Sequence, residues 1–132
     1  MPVRVYYEDT DAGGIVYHAN YLKYAERGRT ELLRAVGFDH DGLLTEHGAL
    51  FAVRRCAIEF VKPARLDDAL AVETEVVRLR GASLEMRQTI RRGAAVLATV
   101  EVLVALIDAA GRPTRAPRAL AEALQRYEAA EA

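Results

Sequence analysis

Three segments rich in Val, Leu, Ile and Thr follow one another in the second half of the chain, and the breaks between them are very short. The segments are residues 70–79, 84–90 and 95–107, and the breaks are Arg80-Gly81 and Arg91-Arg92-Gly93. Short breaks that contain glycine join antiparallel neighbours, because the chain has to reverse within them. The pattern therefore predicts an antiparallel meander against which the remaining segments must pack.

The first part of the chain predicts a short strand followed by a long helix. Residues 3–7 are β-branched and aromatic and end at a polar run, which is typical of a strand entering a loop. A helix is predicted from Asn20, as its cap, to about Val36, and Gly37 is placed to end it. Gly28 in mid-helix costs ~1 kcal/mol relative to alanine, which indicates a close approach of the helix to a sheet.

The rest of the chain completes an α+β pattern. The polar stretch with His40 and His47 is interpreted as loop, residues 50–61 as a further strand, and Pro117 as the start of a short terminal helix. A long helix between a first strand and an antiparallel meander can be enclosed by the curved sheet. With 132 residues, 52% of them apolar, the chain can build one core, so residues 1–132 are interpreted as a single domain.

The most specific stretch of the sequence is the loop and helix start at residues 7–21, which reads YEDTDAGGIVYHANY. It resembles the 4-hydroxybenzoyl-CoA thioesterase superfamily, and most closely its Tol-Pal-associated acyl-CoA thioesterase branch, the YbgC type. The likeness covers nearly the whole chain, since it continues through residues 26–31, 53–55, 62–68 and 81–83. The fold of that family is the hotdog, an antiparallel sheet wrapped around one long helix, which agrees with the predicted order of elements.

The resemblance implies an enzyme that hydrolyses the thioester of acyl-CoA to free acid and CoA and needs no cofactor. Asp11 is implied to be the catalytic carboxylate, either as a nucleophile or as a general base for water, and both routes stay open. The backbone N–H of His18 is implied to bind the thioester oxygen, and the unpaired N–H groups of a first helical turn suit an oxyanion. Tyr7 and the His18 side chain are grouped with Asp11 in this branch.

A CoA ester also requires cations, because CoA carries a pyrophosphate and a 3′-phosphate. Four candidates lie at predicted strand ends: Lys62, Arg65, Arg91 and Arg92. The thioester donor could be acyl-CoA or an acyl carrier protein. We also expect a homodimer or homotetramer with the site at a subunit interface, because the branch assembles in this way and a single sheet leaves edge strands uncovered.

Three alternatives stand beside this hypothesis. The first is a module that binds acyl carriers or envelope-associated partners without hydrolysis, against which the complete Asp11 motif argues. The second is a hotdog dehydratase or hydratase, but its usual aspartate–histidine signature belongs to a different helix context. The third places the catalytic carboxylate on the long helix at Glu26, although Glu26 and Glu31 by default form surface ion pairs with neighbouring arginines.

Composition argues against several other classes of protein. The net charge of −1 provides no overall field for nucleic acid, and we expect none as a partner. Cys56 is the single cysteine, and residues 1–11 lack the apolar stretch of a signal peptide, so we expect a cytoplasmic protein. Residues 94–107 are too short to span a membrane. No His or Cys pair has the spacing of zinc ligands, so we expect no metal site.

Overall fold

The computed structural model describes residues 1–128, and its architecture is α+β. The elements follow the predicted order, with one additional helix between the long helix and the second strand. Their bounds are β1 Pro2–Arg4, α1 His18–Ala35, α2 His40–His47, β2 Leu50–Phe60, β3 Ala69–Arg80, β4 Ser83–Arg92, β5 Ala95–Ile107 and α3 Arg118–Gln125, and a 3₁₀ turn spans Tyr7–Asp9. No helix within the described residues is both long enough and apolar enough to cross a bilayer.

The strands form one antiparallel sheet in the order β1-β3-β4-β5-β2. The predicted meander is confirmed, because β3, β4 and β5 are sequential neighbours joined by short turns. Strand β2 precedes them in the chain but returns to the far edge, where it pairs with β5 along its whole length. One edge of the sheet is therefore the three-residue β1, and the other is the eleven-residue β2.

Helix α1 packs one face against β3 and β4. That face is formed by Tyr21, Tyr24, Ala25, Gly28 and Leu32, which are buried and recur at spacings of one to four residues along the helix. The sheet encloses this helix, so the predicted hotdog fold is confirmed.

The start of α1 differs from the prediction. The helix begins at His18, after Tyr17, and Asn20 already lies in its first turn. The predicted capping role of Asn20 is therefore wrong, and its side-chain amide instead donates a hydrogen bond to the backbone oxygen of Asp9 at 2.9 Å. The predicted end of the helix is confirmed, because Gly37 follows the last turn with a φ of 90°.

The loop interpretation of His40 and His47 is also wrong, because these residues are the two ends of α2. Asp39 caps this helix by accepting a hydrogen bond from the Gly42 N–H at 2.6 Å, and Gly48 ends it with a φ of 64°. Both cap residues can be read in the sequence. A helix of eight residues, however, is too short to display a clear apolar period.

A fully buried polar side chain fixes the contact between α1 and the sheet. Gln88, on the core face of β4, is 0% exposed. Its Nε2 donates to the backbone oxygen of Ala25 at 2.7 Å and to Thr74 Oγ1 at 3.0 Å, and its Oε1 accepts from Arg29 at 3.1 Å. Leaving a buried amide unpaired would cost ~1–3 kcal/mol, so these bonds favour one position of the helix over the sheet.

Gly28 allows α1 to approach this closely. A Cβ atom at this position would lie 2.7 Å from Val72 Cγ1, 3.0 Å from Gln88 Nε2 and 3.1 Å from Thr74 Oγ1. The first distance is shorter than real carbon contacts, and the other two are tight. The close approach inferred from the sequence is therefore confirmed.

Replacing Gly28 with alanine should destabilise the protein by about 1–3 kcal/mol, because the added methyl group overpacks the interface. The sign of the change in stability is informative, since replacing glycine with alanine at an unconstrained helix position would stabilise the protein by about 1 kcal/mol. Denaturant unfolding measures the change. Lys23→Ala, at an exposed position of the same helix, is the control and should change the free energy of unfolding by less than ~0.5 kcal/mol. A more stable Gly28→Ala variant would contradict the packing described.

Candidate active site

Asp11 opens a tight loop whose backbone is closed by its own hydrogen bonds. The Asp11 N–H donates to Ile15 O at 2.9 Å, and the Gly14 N–H donates to Asp11 O at 3.0 Å. The carboxylate is exposed, and its Oδ1 accepts from the Gly13 N–H at 2.8 Å. The side chain is thus oriented by the loop and remains open to solvent.

The loop is attached to the segment that follows β2. Ile15 forms an isolated β-bridge with Arg65, and the Val16 N–H donates to Ala64 O at 2.8 Å. The Ala64 N–H in turn donates to the buried hydroxyl of Tyr21 on α1 at 3.0 Å. These contacts connect the loop, the segment after β2 and the long helix.

The backbone oxygen of Asp9 connects the beginning of the loop with the start of α1. It accepts hydrogen bonds from the Tyr17 N–H at 2.8 Å and from Asn20 Nδ2 at 2.9 Å. Asp11 follows two residues after Asp9, and His18 directly follows Tyr17, so Asp11 and the helix N-terminus lie at the same end of the fold. The His18 N–H makes no hydrogen bond to any residue in the described range 1–128, as is usual for the first turn of a helix.

The side chains of His18 and Tyr7 are both exposed. The centroid of the His18 ring lies 4.5 Å from that of Tyr17 and 6.4 Å from that of Phe60. Tyr7 begins the 3₁₀ turn, its side chain is 82% exposed, and its backbone oxygen accepts hydrogen bonds from Thr10. His18 is therefore held among aromatic rings, and the Tyr7 ring lies at the surface.

Two of the four predicted phosphate-binding cations are already engaged in ion pairs. Arg91 pairs with Glu73 at 2.9 Å, and Arg92 pairs with Asp68 at 2.8 Å. The two exposed candidates that form no ion pair with residues 1–128 are Lys62 and Arg65. Because the Arg65 backbone pairs with Ile15, this cation is the one that the fold brings next to the Asp11 loop.

Asp68 connects the backbone of Arg65 with the side chain of Arg92. Its Oδ2 accepts hydrogen bonds from the Arg65 N–H and the Arg92 guanidinium, both at 2.8 Å. Burial acts to raise the pKa of Asp68, but these two donors outweigh it and hold the pKa below its ordinary value. Asp68 is consequently ionised at neutral pH and remains a partner for Arg92.

Tyr24 lies under the start of the loop and is 1% exposed. Its hydroxyl makes no hydrogen bond within the described part of the chain. Burial raises the pKa of Tyr24 far above its ordinary value, and the nearby carboxylate of Asp9 acts in the same direction. The phenol is therefore neutral, and Tyr24, together with the buried Tyr21, belongs to the core between helix and sheet.

A cavity of about 280 Å³ lies between α1, α2 and the first residues of β2. Its polar lining is Glu26, Arg29, Thr30 and His40. The sequence pattern does not indicate this site, because His40 lies in a polar stretch that predicts a loop and Arg29 has no distinctive spacing. One signal is available, since Gln88, the partner of Arg29, is the polar residue among the otherwise apolar core-facing positions Leu84, Met86 and Ile90 of β4.

Comparison with known proteins identifies the family. Residues 5–124 match the model of the thioesterase-like superfamily. The chain belongs to this superfamily. It is 49% identical over 108 residues to the acyl-CoA thioesterase YbgC of Haemophilus influenzae. The aligned region covers 82% of this chain and 79% of that relative. It is 50% identical over 108 residues to the acyl-CoA thioester hydrolase YbgC of Escherichia coli, with coverage of 81% and 80%.

A solved structure supports the same assignment. The crystal structure of a probable thioesterase from Bartonella henselae matches with a TM-score of 0.85 and 43% identity, over 89% of this chain and 97% of that one. The predicted YbgC-type branch is confirmed by these relatives.

Within this member of the thioesterase-like superfamily, the predicted site residues fall into two places. Asp11, the start of α1 and Arg65 meet at one end of the fold. Glu26 lies farther along α1, exposed, beside the cavity and without an ion pair in the described residues. The expected surface ion pair is present at Glu31, which contacts Arg34.

Proposed function

We propose that this protein hydrolyses acyl-CoA thioesters to free acid and CoA, with Asp11 as the reactive carboxylate. The supporting observation is the exposed carboxylate of Asp11, oriented by the Gly13 N–H beside the start of α1. The chain is also about half identical to two proteins named as acyl-CoA thioesterases. Acyl carrier protein is a second proposed donor, because it presents the acyl group on the same type of thiol carrier.

Two routes of thioester hydrolysis are compatible with the position of Asp11. In the first, an oxygen of Asp11 attacks the thioester carbon, CoA leaves as a thiolate and is protonated by solvent, and water then hydrolyses the anhydride and restores Asp11. In the second, Asp11 takes a proton from a water that attacks the thioester carbon, and that proton passes to the departing sulfur. Both routes require an ionised carboxylate that substrate and water can reach, and the exposure of Asp11 meets this requirement.

The thioester oxygen becomes negative during either route and needs a hydrogen-bond donor. The proposed donor is the His18 N–H, at the positive end of an 18-residue helix. A preorganised donor of this kind contributes roughly 3–4 kcal/mol in the transition state. The exposed side chains of Tyr7 and His18 complete the proposed catalytic group.

The change Asp11→Asn should lower kcat by at least about 10²-fold, because it removes the charge needed for attack or proton abstraction and preserves the size of the side chain. Thiol release from a panel of acyl-CoA substrates measures the effect. Folding should survive, since the carboxamide oxygen can still accept from the Gly13 N–H, and circular dichroism checks this.

Glu26, the alternative catalytic carboxylate, provides the comparison for that experiment. Glu26→Gln should cost much less than Asp11→Asn, because Glu26 lies at the cavity and away from the helix start. If Asp11→Asn retains near-normal turnover and Glu26→Gln abolishes it, the catalytic carboxylate is on the helix. If wild-type protein releases no thiol from any acyl-CoA or acyl carrier protein, the chain is a binding module.

The CoA phosphates are proposed to lie along the end of the sheet that carries Lys62, Arg65, Arg91 and Arg92. Lys62 and Arg65 are the main contacts, because their charges are not used by ion pairs within residues 1–128. Arg91 and Arg92 are each paired with a carboxylate that offsets their charge, so they attract the phosphates less strongly. The position of Arg65 next to the Asp11 loop allows the nucleotide and the thioester to be held together.

The double change Lys62→Met/Arg65→Met should raise KM for acyl-CoA more than it lowers kcat, because it removes binding shared by the ground state and the transition state. An acyl-pantetheine substrate, which lacks the nucleotide, should be hydrolysed equally well by the variant and the wild type. Arg112→Met, in the turn after β5 at the opposite end of that strand, is the matched control. Unchanged KM in the double variant would exclude these residues as phosphate contacts.

The protein is also proposed to form a homodimer through β2, and such dimers can pair into tetramers. The outer edge of β2 has eleven residues whose backbone groups can extend the sheet of a second copy. If two copies pair antiparallel and the pairing is centred on Ala57, Arg55 lies opposite Glu59 of the partner subunit. The charges on this strand are therefore compatible with self-pairing.

Light scattering at micromolar concentration should report a dimer or a tetramer. Arg55→Glu should shift the protein toward smaller species by placing like charges opposite each other, and the added change Glu59→Arg should restore the assembly. A fully active monomer would contradict the assembly itself. An Arg55→Glu variant that assembles as the wild type does would contradict the proposed register.

A further inference from the structure

Helix α1 and strand β2 run in opposite directions, and the strip of surface between them, from Phe60 to Phe51, is called the groove. At one end, the ring of Phe60 lies 6.4 Å from that of His18 and 5.3 Å from that of Tyr21. At the other end, the ring of Phe51 lies 6.0 Å from that of His40. The proposed oxyanion donor and the cavity between α1 and α2 are thus at opposite ends of the same groove.

In the single chain the groove between these ends has exposed apolar side chains, next to the β2 edge through which the dimer is proposed to form. Leu22 on α1 is 45% exposed, and Val53 and Phe60 on β2 are 53% and 49% exposed. The His18 N–H and the Glu26 backbone are eight residues apart, or about 12 Å along the helix axis. An extended acyl group advances roughly 1.3 Å per carbon, so a chain of about ten carbons would carry its far end over this distance from the thioester to the cavity.

Arg29 is an unusual feature of the cavity wall. It is only partly exposed, and its hydrogen bond within residues 1–128 goes to the neutral Oε1 of Gln88 at 3.1 Å. Burial lowers the pKa of Arg29, while Cys56 and Glu26 act in the opposite direction. Neither forms an ion pair with it, so the guanidinium retains N–H donors and a charge without a direct counterion in the described chain.

Three further polar residues line the same cavity: Glu26, whose charge acts on Arg29 without an ion pair, Thr30 and His40. Thr30 Oγ1 and His40 Nε2 lie 3.1 Å apart and can donate or accept hydrogen bonds. The remaining wall is mainly apolar and includes Phe51, Leu84, Met86 and Val104. A cavity with apolar walls and a few fixed polar groups binds a ligand whose own polar atoms match them.

We propose that this cavity receives the far end of the acyl group, and that Arg29 selects acyl groups which end in an oxygen function, a carboxylate or a hydroxyl, over plain alkyl groups. Gln88 is a positioning residue in this arrangement, because it fixes the guanidinium from the core side. The inference rests on the proposed function in one respect, namely that the thioester lies at the start of α1.

Binding of unreactive thioether analogues of CoA tests the cavity without requiring hydrolysis. The analogues carry a chain of about ten carbons, the length that spans this distance, and it ends in a methyl, a hydroxyl or a carboxylate group. Wild-type protein should bind the hydroxyl and carboxylate forms about 10-fold or more tightly than the methyl form, because a hydrogen bond to a charged group is gained. The carboxylate arm and the hydroxyl arm show which oxygen function is preferred.

The variants assign this preference to Arg29. Arg29→Met keeps the length of the side chain and removes its charge, so the ratio of the dissociation constants should fall to near one. Arg29→Lys should retain part of the preference for the carboxylate form, because the charge remains. Arg27→Met, an exposed arginine on the same helix, is the control and should leave the ratio unchanged. If Arg29→Met fails to fold, the comparison within the wild type tests the preference itself and Arg29→Lys tests its assignment to Arg29.

The outcomes separate the cavity from the catalytic assignment. Equal or tighter binding of the methyl form by wild-type protein would overturn the proposal, as would a preference that persists unchanged in folded Arg29→Met. If the oxygen-ended analogues bind selectively but the corresponding thioester is not hydrolysed, the cavity proposal holds and the proposed hydrolysis fails.

Discussion

The contact between the middle of α1 and strands β3 and β4 is the constraint on which the rest of the structure depends. Gln88 donates to a backbone oxygen of the helix, and Gly28 removes the side chain that would hold the helix away. A helix fixed at its middle has a defined position at both ends. Its first turn is thereby set against the Asp11 loop, and its later turns form the wall of the cavity at Arg29.

The fold could be predicted from the sequence because its strongest signals are local. The glycine turns at Gly81 and Gly93 limit three strands to sequential neighbours, and Gly37 limits the helix. The mid-helix Gly28 gave correct information about tertiary packing, since a residue unfavourable in a helix needs a reason outside it. The family resemblance then identified the superfamily, because its motif spans the whole transition from first strand to helix.

The parts of the structure that could not be predicted depend on contacts between distant residues. The sequence predicts Asn20 as a helix cap. In the structure Asn20 lies within the first turn, and its side-chain amide donates a hydrogen bond to the backbone oxygen of Asp9. The helix around His40 is an exception, because its caps Asp39 and Gly48 are local, but its eight residues are too few to display a clear apolar period. The pairing of Arg92 with Asp68 likewise joins two strand ends that are 24 residues apart in the chain. Side-chain pairing of this kind has no periodic signature.

The opposite directions of α1 and β2 have a consequence for how the substrate specificity of such a protein can evolve. The two ends of their groove are built by different parts of the chain: His18 and Phe60 at one end, and Phe51, His40 and α2 at the other. If the second end receives the acyl group as proposed, substitutions there alter which molecules are accepted without disturbing the backbone of the Asp11 loop. With the proposed roles of the two ends, diversification of specificity and preservation of chemistry are nearly independent in this architecture, because distant sites affect free energies almost additively.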